Sequence, residues 1–261
     1  MEFLKHAPRS ALHVSVSQVR SYLGCPQRFN YRYLLGAEPE HRHPNLILGS
    51  AVHEALAEFY LSVKSGQMPE AERITAKYED AFGMAAKEGP AILLEDGEKL
   101  EEVQAQGLAL VHAFLANVAQ PAEVLAVERG FSCDLVDPSS GEILEEQLVG
   151  TFDAVVADSD GTLVVLEHKT AARAWSADQL EYDLQVSLYQ AVAGAEKVRL
   201  QVLTKTKVAK MLVHDLKRQE KAEIEAVDVV RKVLTAIRAG AFWRQRGWQC
   251  RECEFRMRCA G

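Results

Sequence analysis

Two carboxylates and a lysine lie close together in the middle of the 261-residue sequence, in the segment GTFDAVVADSDGTLVVLEHKT at residues 150–170. Apolar residues surround Asp153 and Glu167, so we expect both side chains to enter a partly buried site. Burying two carboxylates is costly unless a cation neutralises them. Carboxylate oxygens favour Mg²⁺ or Mn²⁺, which lowers the pKa of bound water and neutralises charge on a phosphodiester. With Lys169 to orient or deprotonate the water, the set predicts phosphodiester hydrolysis; a surface ion pair is the alternative.

The turn DSDG between the two apolar runs decides how these side chains face each other. A three-residue loop that ends in Gly161, with this glycine in the left-handed conformation, predicts a hairpin in which Asp153 stands opposite Glu167. Directly paired residues project to the same face of a sheet. The two-residue period adds Lys169 to that face and turns His168 the other way. The two acids and the lysine should therefore converge at one end of the hairpin.

Hydrophobic periodicity supplies the elements that must position this hairpin. Helical spacing is present at 15–35, 47–64, twice within 70–118, and at 176–193 and 217–239, and strand-like runs occur at 123–132, 146–157, 162–168, 198–204 and 208–214. Helices around such strands predict an α/β (α+β) fold with a mixed β-sheet flanked by helices. We expect a single domain over 1–261, with a mainly helical part at 1–120, a core at 121–240 and a C-terminal segment at 241–261.

Charge is distributed unevenly along the chain, although the net charge is -7. The segment 70–102 carries ten acids and four bases, which we interpret as a solvated helical face. In contrast, 197–221 carries eight bases and two acids, and 244–258 carries five bases and two acids. Two basic stretches on a near-neutral remainder favour local binding of a polyanion. The sequence shows no signal peptide and no run of ~18 apolar residues, so we expect a cytoplasmic protein without a membrane partner.

Three of the five cysteines fall in the segment QCRECEFRMRC at residues 249–259. In a cytoplasmic protein thiols stay reduced, and clustered cysteines bind metal more often than they form disulfides. Cys133 has no such pattern, and we interpret it as a buried strand residue.

The motif Gly150-x-x-Asp153, followed by Glu167-x-Lys169, resembles the core of the PD-(D/E)XK nucleases. The resemblance implies a restriction-endonuclease-like fold and DNA as the substrate. It also implies that Asp153 and Glu167 bind Mg²⁺ or Mn²⁺ while Lys169 activates water. One departure is Phe152, which stands where the family name has proline.

Two further motifs resemble those of RecB-like members of this superfamily. Gln185 and Tyr189 in QVSLY match the Q-x-x-x-Y motif, which implies that both side chains contact DNA beside the metal. His53 in LGSAVHEAL matches the G-x-x-x-H segment, which implies a further metal-binding histidine. Glu128 in VERGF lies on the preceding strand, where relatives often carry an acid; it either assists the metal or has a structural role.

The cysteine spacing resembles the iron–sulfur subfamily, as in AddB and the CRISPR adaptation nucleases. In those proteins one cysteine precedes the nuclease core, and a C-x-x-C pair with a last cysteine five residues further on follows it. The resemblance implies a 4Fe-4S cluster on four cysteines: Cys25, Cys250, Cys253 and Cys259. A structural zinc site with four cysteine ligands is the alternative.

The resemblance implies an exonuclease that prefers single-stranded DNA and acts in DNA repair or recombination. A helicase is the partner that this role implies. One alternative is a CRISPR adaptation nuclease that trims prespacers beside an integrase. An alternative of another class is a non-catalytic iron–sulfur DNA-binding subunit, against which the intact Asp153, Glu167 and Lys169 argue.

Overall fold

The computed structural model describes residues 4–6, 12–95 and 97–260. Its helices are α1 (Val16–Gly24), α2 (Pro26–Phe29), α3 (Pro44–Lys64), α4 (Ala71–Lys87), α5 (Leu100–Asn117), α6 (Ala177–Glu181), α7 (Leu184–Ala193), α8 (Glu220–Arg238) and α9 (Arg256–Ala260), with a π-helix at Asn30–Leu34 and a 3-10 turn at Trp248–Cys250. Its strands are β1 (Leu4–His6), β2 (His13–Ser15), β3 (Glu123–Val136), β4 (Ile143–Ala157), β5 (Leu163–Ala171), β6 (Lys197–Thr204) and β7 (Lys210–Leu216). The mixed sheet flanked by helices confirms the predicted fold class.

Where one helix was predicted at 176–193, the structure has two, and that prediction was wrong. The helix α6 ends at Glu181, and α7 begins after Asp183, whose carboxylate accepts a hydrogen bond from the backbone N–H of Val186 at 3.0 Å. Aspartate is a favoured N-cap because it satisfies an N–H group that has no partner within the helix. A second helix therefore starts after Asp183, within a segment whose apolar pattern looks continuous.

The chain divides into two compact units. The larger unit comprises His43–Arg129 and Thr151–Lys217, and the smaller unit comprises the described residues of 1–42, 130–150 and 218–261. The long strands β3 and β4 contribute residues to both. The predicted single-domain organisation stays a prediction.

In the larger unit the sheet runs in the order β3-β4-β5-β6-β7. Strand β5 is antiparallel to β4 and parallel to β6, which makes the sheet mixed. One face, which includes Ala154 and Leu166, packs against α3, α4 and α5 in the main hydrophobic core. The opposite face carries Glu167 and Lys169, because neighbouring residues of a strand alternate between faces. Helix α7 contacts β5 and β6 and lies on this second face, where its Gln185 meets Lys169.

Helix α3 is long enough and apolar enough to meet the criterion for a membrane span by length and composition alone. In this structure more than half of its apolar window is buried within the protein. Leu48, Val52 and Leu56 are fully buried in the core that α3 shares with α4 and α5. The core packing accounts for the apolar composition of α3.

In the smaller unit, β1 pairs antiparallel with β3 and β2 pairs parallel with β4. Helix α1 begins with a capping box formed by Ser15 and Gln18, and it contacts α8. The hydroxyl of Tyr22 donates a hydrogen bond to the carbonyl of Ala241 at 2.6 Å. Local capping and one long-range hydrogen bond thus tie the start of the described chain to the residues that follow α8.

Candidate active site

The hairpin of β4 and β5 has the predicted register. Ala154 pairs with Leu166, and the pairing continues to Ala157 and Leu163. Gly161 in the connecting loop has φ +83°, the left-handed conformation that this type of turn requires. The same register, continued by one residue, sets Asp153 beside Glu167. The two carboxylates therefore come together because the turn fixes the alignment of the strands.

Asp153 is held in place by two hydrogen bonds. Its Oδ2 accepts the backbone N–H of His168 at 2.7 Å, and its Oδ1 lies 3.2 Å from the Nδ1 of His53. Burial raises the pKa of the Asp153 carboxyl, but the hydrogen bond and charge of His53 and the contacts with His168 outweigh burial and leave the pKa below its ordinary value. Asp153 is therefore ionised and oriented, as a metal ligand must be.

Glu167 is almost fully buried, with 3 % of its surface exposed. Its Oε1 accepts a hydrogen bond from the ammonium group of Lys169. Its Oε2 is buried and has no hydrogen-bond partner among the described residues. Burial and the nearby charge of Asp153 raise the pKa of Glu167 above its ordinary value. An unsatisfied buried carboxylate oxygen is costly, and a bound cation would remove that cost.

The side chain of Lys169 is held by Gln185, which the sequence predicted to contact DNA. Its Nζ donates a hydrogen bond of 2.8 Å to the Oε1 of Gln185, the second residue of α7. Tyr189, one turn further on, hydrogen-bonds the side chain of Gln185 and packs edge-on against Phe152 at 5.2 Å. Gln185 and Tyr189 thus form a buried support for the lysine. Their predicted contact with DNA stays a prediction.

His168 turns away from the acids, as the strand period predicts. Its ring stacks on Tyr60 at 5.5 Å and meets Phe114 edge-on at 6.0 Å. Burial lowers the pKa of His168 to about 4, so the ring is neutral. His168 contributes to the site through its backbone N–H to Asp153, while its side chain belongs to the core.

A tight group of potential metal ligands forms around Asp153. Ligand atoms of His53, Glu128 and Asp153 all lie within 4.8 Å of one another. His53 and Asp153 were predicted as metal ligands, whereas Glu128 was expected either to assist the metal or to have a structural role. Glu167, the third predicted ligand, lies outside this group, and its Oε1 instead binds Lys169.

The backbone of Glu128 has φ +46°, the one positive value among the described non-glycine residues. A non-glycine residue in this region is uncommon and costs roughly 1–3 kcal/mol, and such residues cluster at functional sites. The same residue contributes its carboxylate to the group around Asp153. No residue type in VERGF signals it, since glutamate is not a residue expected at positive φ.

Replacement of Glu128 by glutamine is expected to weaken Mn²⁺ binding at least about tenfold, because it removes one charged ligand without changing its size. Titration calorimetry of metal-free protein with Mn²⁺ gives the affinity. Glu54→Gln is the matched control: Glu54 is an acid on α3 beside His53 that pairs with Lys77 at 3.1 Å. Equal affinities of Glu128→Gln and wild type would show that Glu128 is not a ligand.

The four cysteines predicted to bind a cluster all line one cavity of about 340 Å³ in the smaller unit. Their sulfur atoms do not form a tight group: no three cysteine sulfurs lie within 4.8 Å of one another in the part of the chain that the structure describes. Cys133 is buried at 1 % exposure, and burial raises the pKa of its thiol to about 12. It is a core residue, as its lone position in the sequence indicates.

Ion pairs and hydrogen bonds hold the C-terminal segment around this cavity. Glu254 is buried and pairs with Arg28 at 3.0 Å and with Arg32. The carboxylate of Glu40 accepts the backbone N–H groups of Met257 and Arg258 at 3.1 and 3.0 Å. Protein contacts alone therefore place the segment 249–259 beside Cys25.

Comparison with known proteins identifies the family. The model of the PD-(D/E)XK nuclease superfamily matches residues 13–260, and the chain belongs to this superfamily. Nucleases of this superfamily use divalent metal ions, which agrees with the group around Asp153. None of the curated proteins compared with the chain matches it.

The solved structures similar to this chain include the following two. The "Putative exonuclease" from Eubacterium rectale is 14% identical, with a TM-score of 0.51 over 92% of this chain and 86% of that chain. The protein designated SSO0001 is also 14% identical, with a TM-score of 0.41 over 89% of this chain and 92% of that chain. At this level of identity, the likeness to the Eubacterium rectale protein shows a shared fold.

Proposed function

We propose that this protein is a metal-dependent deoxyribonuclease of the RecB-like, iron–sulfur type, which hydrolyses single-stranded DNA from an end. The main observation in favour of hydrolysis is that Asp153, Glu167 and Lys169 share one face of the sheet. The unpartnered Oε2 of Glu167 and the ligand group around Asp153 support a bound cation. Membership of a nuclease superfamily supports the reaction class.

The residues of the site have two roles: some would bind the metal ion, and Lys169 would act on water and phosphate. His53, Glu128, Asp153 and Glu167 would hold Mg²⁺ or Mn²⁺, and the imidazole ligand favours Mn²⁺ over Mg²⁺. The cation supplies a water of lowered pKa and neutralises charge on the phosphodiester. Lys169 directs its ammonium to the face shared by the acids, where it orients water and offsets the negative charge that develops on the phosphate.

The hydrogen bond from Lys169 to Gln185 supports this role for the lysine. A flexible ammonium is effective only when its position is fixed, since misplaced groups lose much of their effect on rate. A surface ion pair between Glu167 and Lys169, the alternative considered from sequence, would not need a buried amide partner.

The chemistry of the donor set supports an iron–sulfur cluster in the smaller unit. Cys25, Cys250, Cys253 and Cys259 line the same cavity, and four thiolates are the usual ligands of a 4Fe-4S cluster. Arginine side chains line the cavity as well, among them Arg244 and Arg246, and their charge suits an anionic centre. A cytoplasmic location, where thiols stay reduced, is part of the proposal.

The distribution of aromatic and basic side chains supports single-stranded DNA as the substrate. Trp248, in the basic stretch 244–258, is 87% exposed; Trp243, one residue before that stretch, is 54% exposed and meets Tyr22 edge-on. Exposed aromatic rings stack on bases of any type, and the neighbouring cations track the backbone. We therefore expect little sequence preference and strong salt dependence.

Cleavage is expected to depend on a free DNA end. With Mn²⁺ at fixed salt, linear single-stranded DNA should be degraded much faster than covalently closed circles of the same sequence, because the resemblance to RecB-like exonucleases implies attack from a strand end. Gel analysis of labelled substrates measures both rates, and a Lys169→Ala preparation controls for contaminating nucleases. Equal rates on the two substrates would show internal cutting and make the enzyme an endonuclease.

A further inference from the structure

The basic stretch 197–221 divides into two parts with different surroundings. At the start of β6, Lys197 and Arg199 are both paired with Asp158 and Asp215. Arg199 makes bidentate contacts of 2.8 and 2.9 Å to Asp158. These cations are neutralised within the protein, so they have little charge to offer DNA.

Lys205, one residue beyond the end of β6, has a different environment. Its ammonium donates a hydrogen bond to the side-chain oxygen of Asn45, a neutral amide. Among the described residues it makes no ion pair. The side chain is half-buried; burial lowers the pKa of Lys205, and the more distant charge of Glu98 opposes this. Among the described residues, Lys205 is thus a partly desolvated cation that hydrogen-bonds a neutral amide and feels the charge of Glu98 only at a distance.

The position of Lys205 relates it to the proposed active site within the same unit. Strand β6 is parallel to β5, and Val202 lies opposite Lys169. Three residues further on, the backbone N–H of Lys205 donates to the carbonyl of Ala171, the last residue of β5, at 2.8 Å. The backbone of Lys205 therefore lies beyond the carboxyl end of the strand that carries Lys169, and the contact with Asn45 places its ammonium beside α3.

Helix α3 has residues at both the Lys205 site and the proposed active site. Asn45 lies in its first turn, and His53 follows eight residues later, about 12 Å along the axis at 1.5 Å per residue. Between them, Gly49 lies against β5: a Cβ at this position would be 3.4 Å from the hydroxyl of Thr170. From Lys205 to His53, the first half of α3 and the end of β5 thus run side by side.

We propose that Lys205 binds a backbone phosphate of the DNA strand on one side of the scissile phosphate, with Asn45 holding the ammonium in place. The distance along α3 means that this phosphate is not the one that is cleaved. Among the described residues, Asn45 offers the ammonium a neutral oxygen, and a phosphate would add a direct contact with a negatively charged oxygen. The proposal rests on the proposed function and adds a subsite to it.

Binding measurements test the subsite apart from cleavage. All variants are made in the Lys169→Ala background, and the anisotropy of labelled single-stranded DNA is followed at several salt concentrations. Each phosphate contact contributes about 0.7 to the slope of log K against log salt for single strands. Lys205→Ala should lower this slope by about 0.7 and weaken binding roughly tenfold at low salt, whereas Lys205→Arg should retain both.

Two controls separate phosphate binding from a structural role. Asn45→Ala removes the partner of Lys205 but keeps the charge, so its salt slope should match that of its background. Lys207→Ala removes an equal charge from an exposed position in the same loop and should change the slope less than Lys205→Ala. An unchanged slope for Lys205→Ala, or equal losses from Lys205→Ala and Asn45→Ala, overturns the proposal.

The two proposals fail in different ways. If the wild-type protein cleaves DNA but Lys205→Ala leaves the slope of log K against log salt unchanged, the subsite proposal is wrong. The nuclease proposal then stands. If DNA binding depends on Lys205 as stated but no cleavage occurs with Mg²⁺ or Mn²⁺, the subsite stands and the nuclease proposal is wrong. If no variant binds DNA, both are overturned.

Discussion

Replacement of Lys169 by alanine is expected to slow DNA cleavage by roughly 10²–10⁴-fold, the range that a positioned acid–base group contributes. The lysine pairs with Glu167 and is held by Gln185, so its loss removes the ammonium without removing a metal ligand. Mn²⁺ affinity and DNA binding should therefore stay close to wild type. Single-turnover cleavage of a labelled strand, with metal affinity measured in parallel, checks both expectations.

Asp153→Asn is the contrasting variant. It removes a charged ligand, so both metal affinity and cleavage should fall, while the hydrogen bond that its oxygen accepts from His168 can be retained. Gln185→Ala should give a smaller loss of rate at unchanged metal affinity, because Lys169 is present but no longer fixed. A Lys169→Ala protein that cleaves at the wild-type rate would falsify the proposed role of the lysine.

The convergence of Asp153, Glu167 and Lys169 could be predicted because it depends on local chemistry. The loop that ends in Gly161 fixes the hairpin register, and the two-residue period then determines which side chains share a face. Both steps depend only on neighbours in sequence. The strands and most helices could be located for the same reason, since burial of one face imposes a period on the chain.

The rest of the site depends on long-range packing that leaves no local pattern. The positive φ of Glu128 and its approach to Asp153 are set by the surrounding sheet, since nothing in its residue type favours that conformation. The contact of Gln185 with Lys169 joins α7 to β5, and nothing in the local pattern of either element specifies it. The three-residue strands β1 and β2 gain their stability from pairing with distant strands, and such short segments have no measurable period.

Protein purified without oxygen is expected to be brown and to carry about four iron and four sulfide per chain, as a 4Fe-4S cluster requires. Cys25→Ala should lose both and unfold at a lower temperature, because the cluster would cross-link residues that are far apart in sequence. Iron and sulfide analysis, absorption spectra and thermal unfolding measure these effects. The contacts of Glu254 and Glu40 should keep the C-terminal segment partly ordered in this variant.

Cys133→Ala is the matched control, since it removes a thiol that is buried in β3 and does not line the cavity; iron and sulfide should stay at wild-type levels. The competing assignment is one zinc ion. One zinc and no iron in the purified protein would decide for the zinc site and against the cluster.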